Sequence, residues 1–194
     1  MNLHLGCGNI FLDGFTNVDL FIPGYSFLAK DRPDLVSLNR TTLDHYYKHP
    51  YTTDGPVDRL CVVDCFMDAR IIDPPEGHVD QIVAAQLLEH FTPAEAKQAL
   101  RNWCRLLKPG GTLVVDVHDF PKLLLEFDWN FGKQNDYYYR MIFGSYKNEY
   151  ACHKDGYDEE KLRGMLLEAG FSQVRDLGNI LGHDYPTLTF EARK

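Results

Sequence analysis

Leu3-His4-Leu5-Gly6-Cys7-Gly8-Asn9, followed by Asp13-Gly14-Phe15-Thr16-Asn17-Val18-Asp19, is the stretch on which the reading of this chain turns. Leu3 to Leu5 reads as a short strand that runs straight into a glycine loop. Glycines there let the backbone turn sharply and let a ligand approach without a Cβ in the way. After the turn at Asp13-Gly14, Phe15 to Leu20 reads as a second strand. Asp19 closes it, where an acid accepts hydrogen bonds from ribose hydroxyls. A turn-capping aspartate is the plain alternative. The loop also discriminates between cofactors. A dinucleotide fingerprint needs a third glycine and an acid about 20 residues on. Here Phe11 stands three beyond Gly8, and Asp19 follows Gly8 by only 11 positions. A cofactor without phosphate, held by its ribose and an amino-acid part, suits the loop better.

Outward from that stretch, Pro23-Gly24 marks a turn and a helix is expected within Asp34 to Lys48. Arg59 to Phe66 is apolar and Val-rich, the pattern of a buried parallel strand. Val79 to Ala85 is the next strand. Thr92, Pro93 and Glu95 then form a helix start with a capping box. Ala96, Ala99, Leu100, Trp103, Leu106 and Leu107 recur at helical spacing, and Lys108-Pro109-Gly110-Gly111 ends the pattern. Thr112 to Val117 is another buried strand, and residues 119 to 151 read as aromatic and irregular. Asp158 caps a last helix that Gly170 ends. Phe171 to Leu177 and Thr187 to Ala192 form a final strand pair. The expectation is an α/β fold: a doubly wound, mainly parallel Rossmann-like sheet with a C-terminal antiparallel strand pair.

Composition narrows the function classes. The chain has 194 residues, enough for one domain with a sizeable core. Its formal charge of −8 disfavours a phosphate backbone as partner, so no nucleic acid is expected. No stretch approaches the ~20 apolar residues of a membrane helix, and Met1 to Gly6 does not read as a signal peptide. The cysteines, Cys7, Cys61, Cys65, Cys104 and Cys152, are odd in number and read as free thiols in a reducing cytoplasm. Cys61 and Cys65 lack a second pair at zinc-ligand spacing, so no metal is expected.

The glycine loop and Asp13 to Asp19 resemble class I S-adenosylmethionine (SAM)-dependent methyltransferases. The likeness is strongest to a compact branch that starts at the first strand. Asp68-Ala69-Arg70, Val79 to Val83, Leu87-Leu88-Glu89-His90-Phe91, Leu106 to Leu113, and the run from His153 to Phe171 fall in the family's order. The resemblance covers residues 2 to 117 and about 152 to 192. It implies a single domain over 1–194 with an aromatic insertion at about 119–157. It further implies SAM as cofactor, with S-adenosylhomocysteine as product. Gly6, Cys7 and Gly8 would line the methionine part, Asp19 would hold the ribose, and Asp68 and Ala69 would meet the adenine. Gln86 stands where the branch often has His and would face cofactor or substrate. The branch often accompanies saccharide biosynthesis, which implies a small-molecule or saccharide-like acceptor methylated on oxygen or nitrogen. A homodimer is admitted.

Methyl transfer to oxygen or nitrogen asks the protein for alignment, exclusion of water and a general base. His118 and Asp119, at the end of the fifth strand, and His153, before the last helix, lead as catalytic candidates. His90 and Tyr157 are further ones. For each, a loop polar residue or helix cap is the plain alternative. The aromatic stretch from Phe127 to Tyr150, including Trp129 and Tyr137 to Tyr139, would cover the acceptor. Cover is expected from residues 20–55, from 119–157 or from another subunit. Asp73-Pro74-Pro75-Glu76 precedes the fourth strand and ends in Glu, so it reads as a loop and not as a base-methylation motif. Two other classes compete: a non-catalytic SAM-binding module acting as partner or sensor, and a nicotinamide oxidoreductase, which Phe11 disfavours.

Overall fold

The computed structural model describes residues 1–47, 60–127, 135–145 and 148–194. One seven-stranded sheet organises the molecule. Its strands are β1 (Asn2–Leu5), β2 (Thr16–Asp19), β3 (Cys65–Phe66), β4 (Val79–Ala85), β5 (Leu107–His118), β6 (Gln173–Asp176) and β7 (Thr187–Arg193). They lie in the order β3-β2-β1-β4-β5-β7-β6. The first five are parallel, and β7 runs antiparallel between β5 and β6. The chain order reverses between β1 and β4. Their carboxyl ends therefore open a crevice, and that is where such sheets bind ligands.

Both faces of the centre are covered. Leu3 and Leu5 join the larger apolar cluster with α2 (Pro93–Leu106) and α5 (Glu159–Glu168). The capping box at Thr92 and Glu95 is formed, and the expected apolar face is buried to Leu107. Between Leu3 and Leu5, His4 points to the opposite face and is fully buried. Its Nδ1 donates to Asn17 Oδ1 at 2.8 Å, and its Nε2 accepts from the Tyr46 hydroxyl at 2.6 Å. Burial lowers its pKa to about 4, so the ring stays neutral.

The structure corrects four expectations. The strand expected over Arg59 to Phe66 is divided, and Arg59 lies outside the described residues. Cys61–Val63 pairs with Ser26–Leu28, and Cys65–Phe66 alone joins the main sheet as β3. Asp64 sits at the break. Its carboxylate accepts the Asn17 backbone N–H at 2.8 Å, a polar demand that a continuous buried strand could not meet. The helix expected within Asp34 to Lys48 is short: α1 spans Pro33–Asn39. The chain then pairs Arg40–Thr41 with Phe11–Leu12 and makes a 3₁₀ turn at Leu43–His45. Lys48 lies outside the described residues. The helix ends before Lys108 to Gly111 as expected, but the strand expected from Thr112 begins already at Leu107 and takes these residues up as an irregularity against β4. The region read as irregular after β5 holds two helices, α3 (Phe120–Glu126) and α4 (Asn135–Phe143). Among the described residues no helix is long and apolar enough to cross a membrane.

Candidate functional site

A cavity of about 570 Å³ lies at the carboxyl ends of β1, β2 and β4. Gly6 and Gly8 form one wall, both in the left-handed region with φ of +63° and +54°. A Cβ on Gly6 would stand 2.6 Å from Leu87 Cδ1, so any other residue must displace that side chain as well as hold a left-handed backbone. The side chain of Cys7 between them faces away. It is buried with Cys61 and Val63 beneath the loop, so its place is structural. All five thiols are free.

Asp19 borders the same wall. Its Oδ2 accepts the Gly8 N–H and its Oδ1 the Leu20 N–H, each at 2.7 Å. Burial pushes this carboxyl up, and the two N–H bonds work against it. Oδ2 also meets the Cys61 thiol at 3.9 Å, and Oδ1 keeps a lone pair for a hydroxyl donor. Asp68 and Ala69 also line the cavity. The Asp68 carboxylate takes the fork of Arg70, with Nη2 at 2.6 Å, and Arg70 reaches Glu95 Oε1 with its other nitrogen. That pairing holds Asp68 below the usual carboxylate range. The Ala69 carbonyl accepts the Trp103 indole N–H at 2.8 Å. This loop is thereby fixed to α2 before any ligand arrives.

Gln86 completes this half. At φ +52° it is the sole non-glycine residue with positive φ among those described. Its Nε2 donates to Asp116 Oδ1 at 2.6 Å. Asp116 is itself fully buried and also accepts from His183 Nε2 and Thr189 Oγ1. Gln86 Oε1 is buried and has no partner. A strained residue presenting an unmet acceptor calls for a ligand donor.

The opposite half comes from two segments. Leu20, Ile22, Pro23, Gly24 and Tyr25 border it on one side, and Ser145, Asn148, Tyr150, Ala151 and Lys154 on the other. Both ranges expected to supply cover do so. Trp129 lies outside the described residues, as do the side chains of Asn135 to Tyr137. His90 also lines the cavity. Its Nδ1 meets the Cys152 carbonyl at 3.2 Å. A carbonyl only accepts, so in neutral His90 the proton sits on Nδ1 and Nε2 carries the lone pair.

The leading catalytic candidates stand elsewhere. His118, His153 and Asp119 do not line the cavity. Asp119 caps α3, accepting the Lys122 N–H, and pairs with Lys122 Nζ at 2.7 Å. His153 packs edge-on behind His90, with ring centroids 4.7 Å apart, and His118 lies 5.1 Å beyond it. Burial lowers the His153 pKa to about 4. Tyr157 is buried, with its hydroxyl donating to the Leu88 carbonyl. Sequence reasoning placed His90 second to these. Its signal was Leu88-Glu89-His90-Phe91 itself, directly after β4 at the switch point. Lys154 lies within the His153 to Phe171 run and Pro23-Gly24 marks a turn, and neither signal points to the cavity.

The glycine loop fits an amino-acid-bearing nucleoside. Gly6 leaves room where a Cβ would clash, Asp19 offers acceptors for ribose, and Gln86 Oε1 lacks a donor. The sheet order and this cradle resemble those of class I SAM-dependent methyltransferases, a class whose cofactor is SAM. Comparison with known proteins gives the particulars. A family described as a methyltransferase domain matches residues 53–115. The ubiquinone/menaquinone biosynthesis C-methyltransferase UbiE of Yersinia pestis is 32% identical over 118 residues, covering 55% of this chain and 44% of its own length. The Laribacter hongkongensis protein of the same name is 30% identical over 121 residues, covering 55% and 45%. The chain thus spans less than half the length of these relatives. Among solved structures, the Burkholderia thailandensis 1,6-didemethyltoxoflavin-N1-methyltransferase, with its namesake compound and S-adenosylhomocysteine bound, superposes with a TM-score of 0.51. It is 18% identical, over all of this chain and 70% of its own. A possible histamine N-methyltransferase from Thermotoga maritima gives 0.53 at 13% identity, over all of this chain and 81% of its own.

Proposed function

We propose that this chain transfers a methyl group from SAM to an oxygen or nitrogen of a small-molecule acceptor, with His90 as general base. One observation carries the reading: a single cavity joins the Gly6, Gly8, Asp19 and Gln86 cradle to a histidine whose lone pair is fixed on Nε2. Bound SAM supplies an electrophilic sulfonium methyl, and its transfer leaves S-adenosylhomocysteine. Gly6, Gly8, Asp19 and Gln86 would hold the cofactor, and Asp68 and Ala69, with Met67 beside them in the cavity wall, would meet its base. His90 Nε2 takes the proton that the acceptor's hydroxyl or amine loses and passes it to water. His118 and His153, candidates by position in the chain, support His90 from behind.

The narrower form of the proposal is a saccharide-like acceptor. Tyr150 lines the cavity and is 41% exposed, a ring suited to packing on the C–H face of a sugar. The overall charge of −8 supports a partner other than nucleic acid. The proposal takes the chain as one domain with the insertion at about 119–157 over the acceptor, located in the cytoplasm, where its free thiols suit a reducing milieu.

The test is formation of S-adenosylhomocysteine by the purified chain against panels of hydroxylated, amino and saccharide acceptors. Turnover with at least one is expected. SAM binding by calorimetry with no product from any acceptor would instead support a non-catalytic SAM-binding module.

A further inference from the structure

Three donor groups converge behind the cavity from distant parts of the chain. Glu89 follows β4, His118 ends β5 and His153 precedes α5. Their ligand atoms all lie within 4.8 Å of one another. Glu89 is 2% exposed and His118 8%.

The hydrogen bonds around this cluster fix where its lone pairs point. His153 Nδ1 meets the Met141 carbonyl at 2.9 Å, so Nδ1 carries the proton and Nε2 the lone pair. His118 Nε2 lies 3.2 Å from the Met141 thioether, which can only accept. Glu89 Oε1 lies 3.1 Å from His118 Nδ1 and takes its N–H when no ion is bound; an ion on Nδ1 would shift that proton to Nε2, where the thioether accepts it. Glu89 Oε2 has no hydrogen-bond partner at all and is buried. A buried carboxylate oxygen left unpaired is costly. Tyr185 stacks on the His118 ring at 15° between planes, which holds that ring in place.

We propose that Glu89, His118 and His153 form a binding site for a divalent transition-metal ion, zinc by affinity. Two imidazoles and one carboxylate are a zinc-type donor set, and zinc bonds of about 2.0–2.2 Å put neighbouring ligands roughly 3.3 Å apart. The Glu89 to His118 separation of 3.1 Å is near that, and the others, within 4.8 Å, would close on binding. Met141 supplies outer contacts to both rings, its carbonyl holding the His153 Nδ1–H and its thioether facing His118 Nε2. The ion would tie the ends of β4 and β5 to the segment carrying His153, directly behind His90. This inference stands on the cluster alone and does not rest on methyl transfer. The spacing 89, 118, 153 has no short motif, which is why sequence alone points to no metal.

The test uses the full chain stripped with chelator and dialysed against zinc or cobalt(II) chloride. One ion per chain is expected, with visible cobalt absorption of a low-coordinate site and no thiolate-to-cobalt charge-transfer band in the near ultraviolet. Glu89→Gln and His153→Ala should each lower affinity by about tenfold or more. Cys61→Ser should leave it unchanged, since Cys7, Asp19 and Cys61 form the other set of possible ligands. Circular dichroism melting checks that each variant folds. Should one not fold, the wild-type spectrum decides. Uptake well below one ion per chain overturns the proposal and leaves His118 and Glu89 as a proton-linked pair. A thiolate band, or binding that survives Glu89→Gln, overturns it in favour of the cysteines.

Discussion

The two halves of the cavity are built differently. The cofactor half is mostly backbone: positive-φ glycines, two N–H groups on Asp19, and the Ala69 carbonyl tied to Trp103. It sits on consecutive strand ends and is rigid. The acceptor half is mostly side chains, brought from residues 20–25, 90 and 145–154. Its support is a set of short elements: the 3₁₀ turn at Leu88–His90, the strand Ser26–Leu28, α4 and the bridge between Gly144 and Cys152. The difference separates tasks. One half must recognise a fixed cofactor. The other can change its specificity without disturbing the sheet.

The largest expected effect splits the halves. His90→Ala should lower turnover by roughly 10²–10⁴-fold, the usual worth of a general base, with SAM affinity nearly unchanged. Asp19→Ala should do the reverse, abolishing measurable SAM binding. Calorimetry with SAM and a product assay on the same two proteins reads both. If His90→Ala keeps full turnover, the acceptor half has been drawn around the wrong residue. If Asp19→Ala still binds SAM, the cofactor half has.

The next effect tests rigidity within the cofactor half. Gly6→Ala and Gly8→Ala share a positive-φ cost of ~1–2 kcal/mol. They differ in space, because a Cβ at position 8 meets nothing within 4 Å while one at position 6 presses on Leu87. Gly6→Ala should therefore lower stability in urea by more than Gly8→Ala. Adding Leu87→Ala should give a smaller further loss in the Gly6→Ala background than in the wild type. An additive double mutant would mean that the loop yields and the wall is not rigid.

How much was legible in the sequence follows the same division. The glycine loop, Asp19, the capping box at Thr92 and the strand order are local signals, each confined to a few neighbouring residues, and they appear in the structure at their expected places. Asp64 broke a strand that its apolar neighbours argued for, because a partner 47 positions away, Asn17, decides its environment. Cys7 was read into the cavity with its glycines, yet the turn that points their backbones inward points its side chain down. His90 and His118 could not be ranked by position, since both follow parallel strands at the same end of the sheet. Only the Cys152 carbonyl and the cavity boundary separate them.

A further effect concerns the base on which both halves rest. Folded His4 stays neutral down to about pH 4, whereas an unfolded histidine titrates near 6.5. Between those values the unfolded chain binds a proton that the folded chain does not. Stability must therefore fall as pH drops through that window, by ~2 kcal/mol from about pH 7 to about pH 5. Urea unfolding at the two pH values measures this. His4→Gln, which keeps a polar group between Asn17 and Tyr46, should reduce the dependence. An unchanged dependence would assign it to other groups.

The smallest expected effect returns to the boundary between a cap and a catalyst. Asp119 stands at the end of β5, where a base for the acceptor could stand. Its side chain accepts the Lys122 N–H and pairs with Lys122 Nζ, and its backbone N–H donates to Pro186. Those contacts leave it 5% exposed and occupied. Asp119→Ala should thus cost ~1 kcal/mol in stability, the usual worth of an N-cap. Turnover should move far less than in His90→Ala. Asp119→Asn should recover most of the lost stability, because an amide oxygen still caps the helix while the charge is gone. A base at this position would give the opposite ordering, with Asn as inactive as Ala, and the acceptor half would then have to be redrawn across the end of β5.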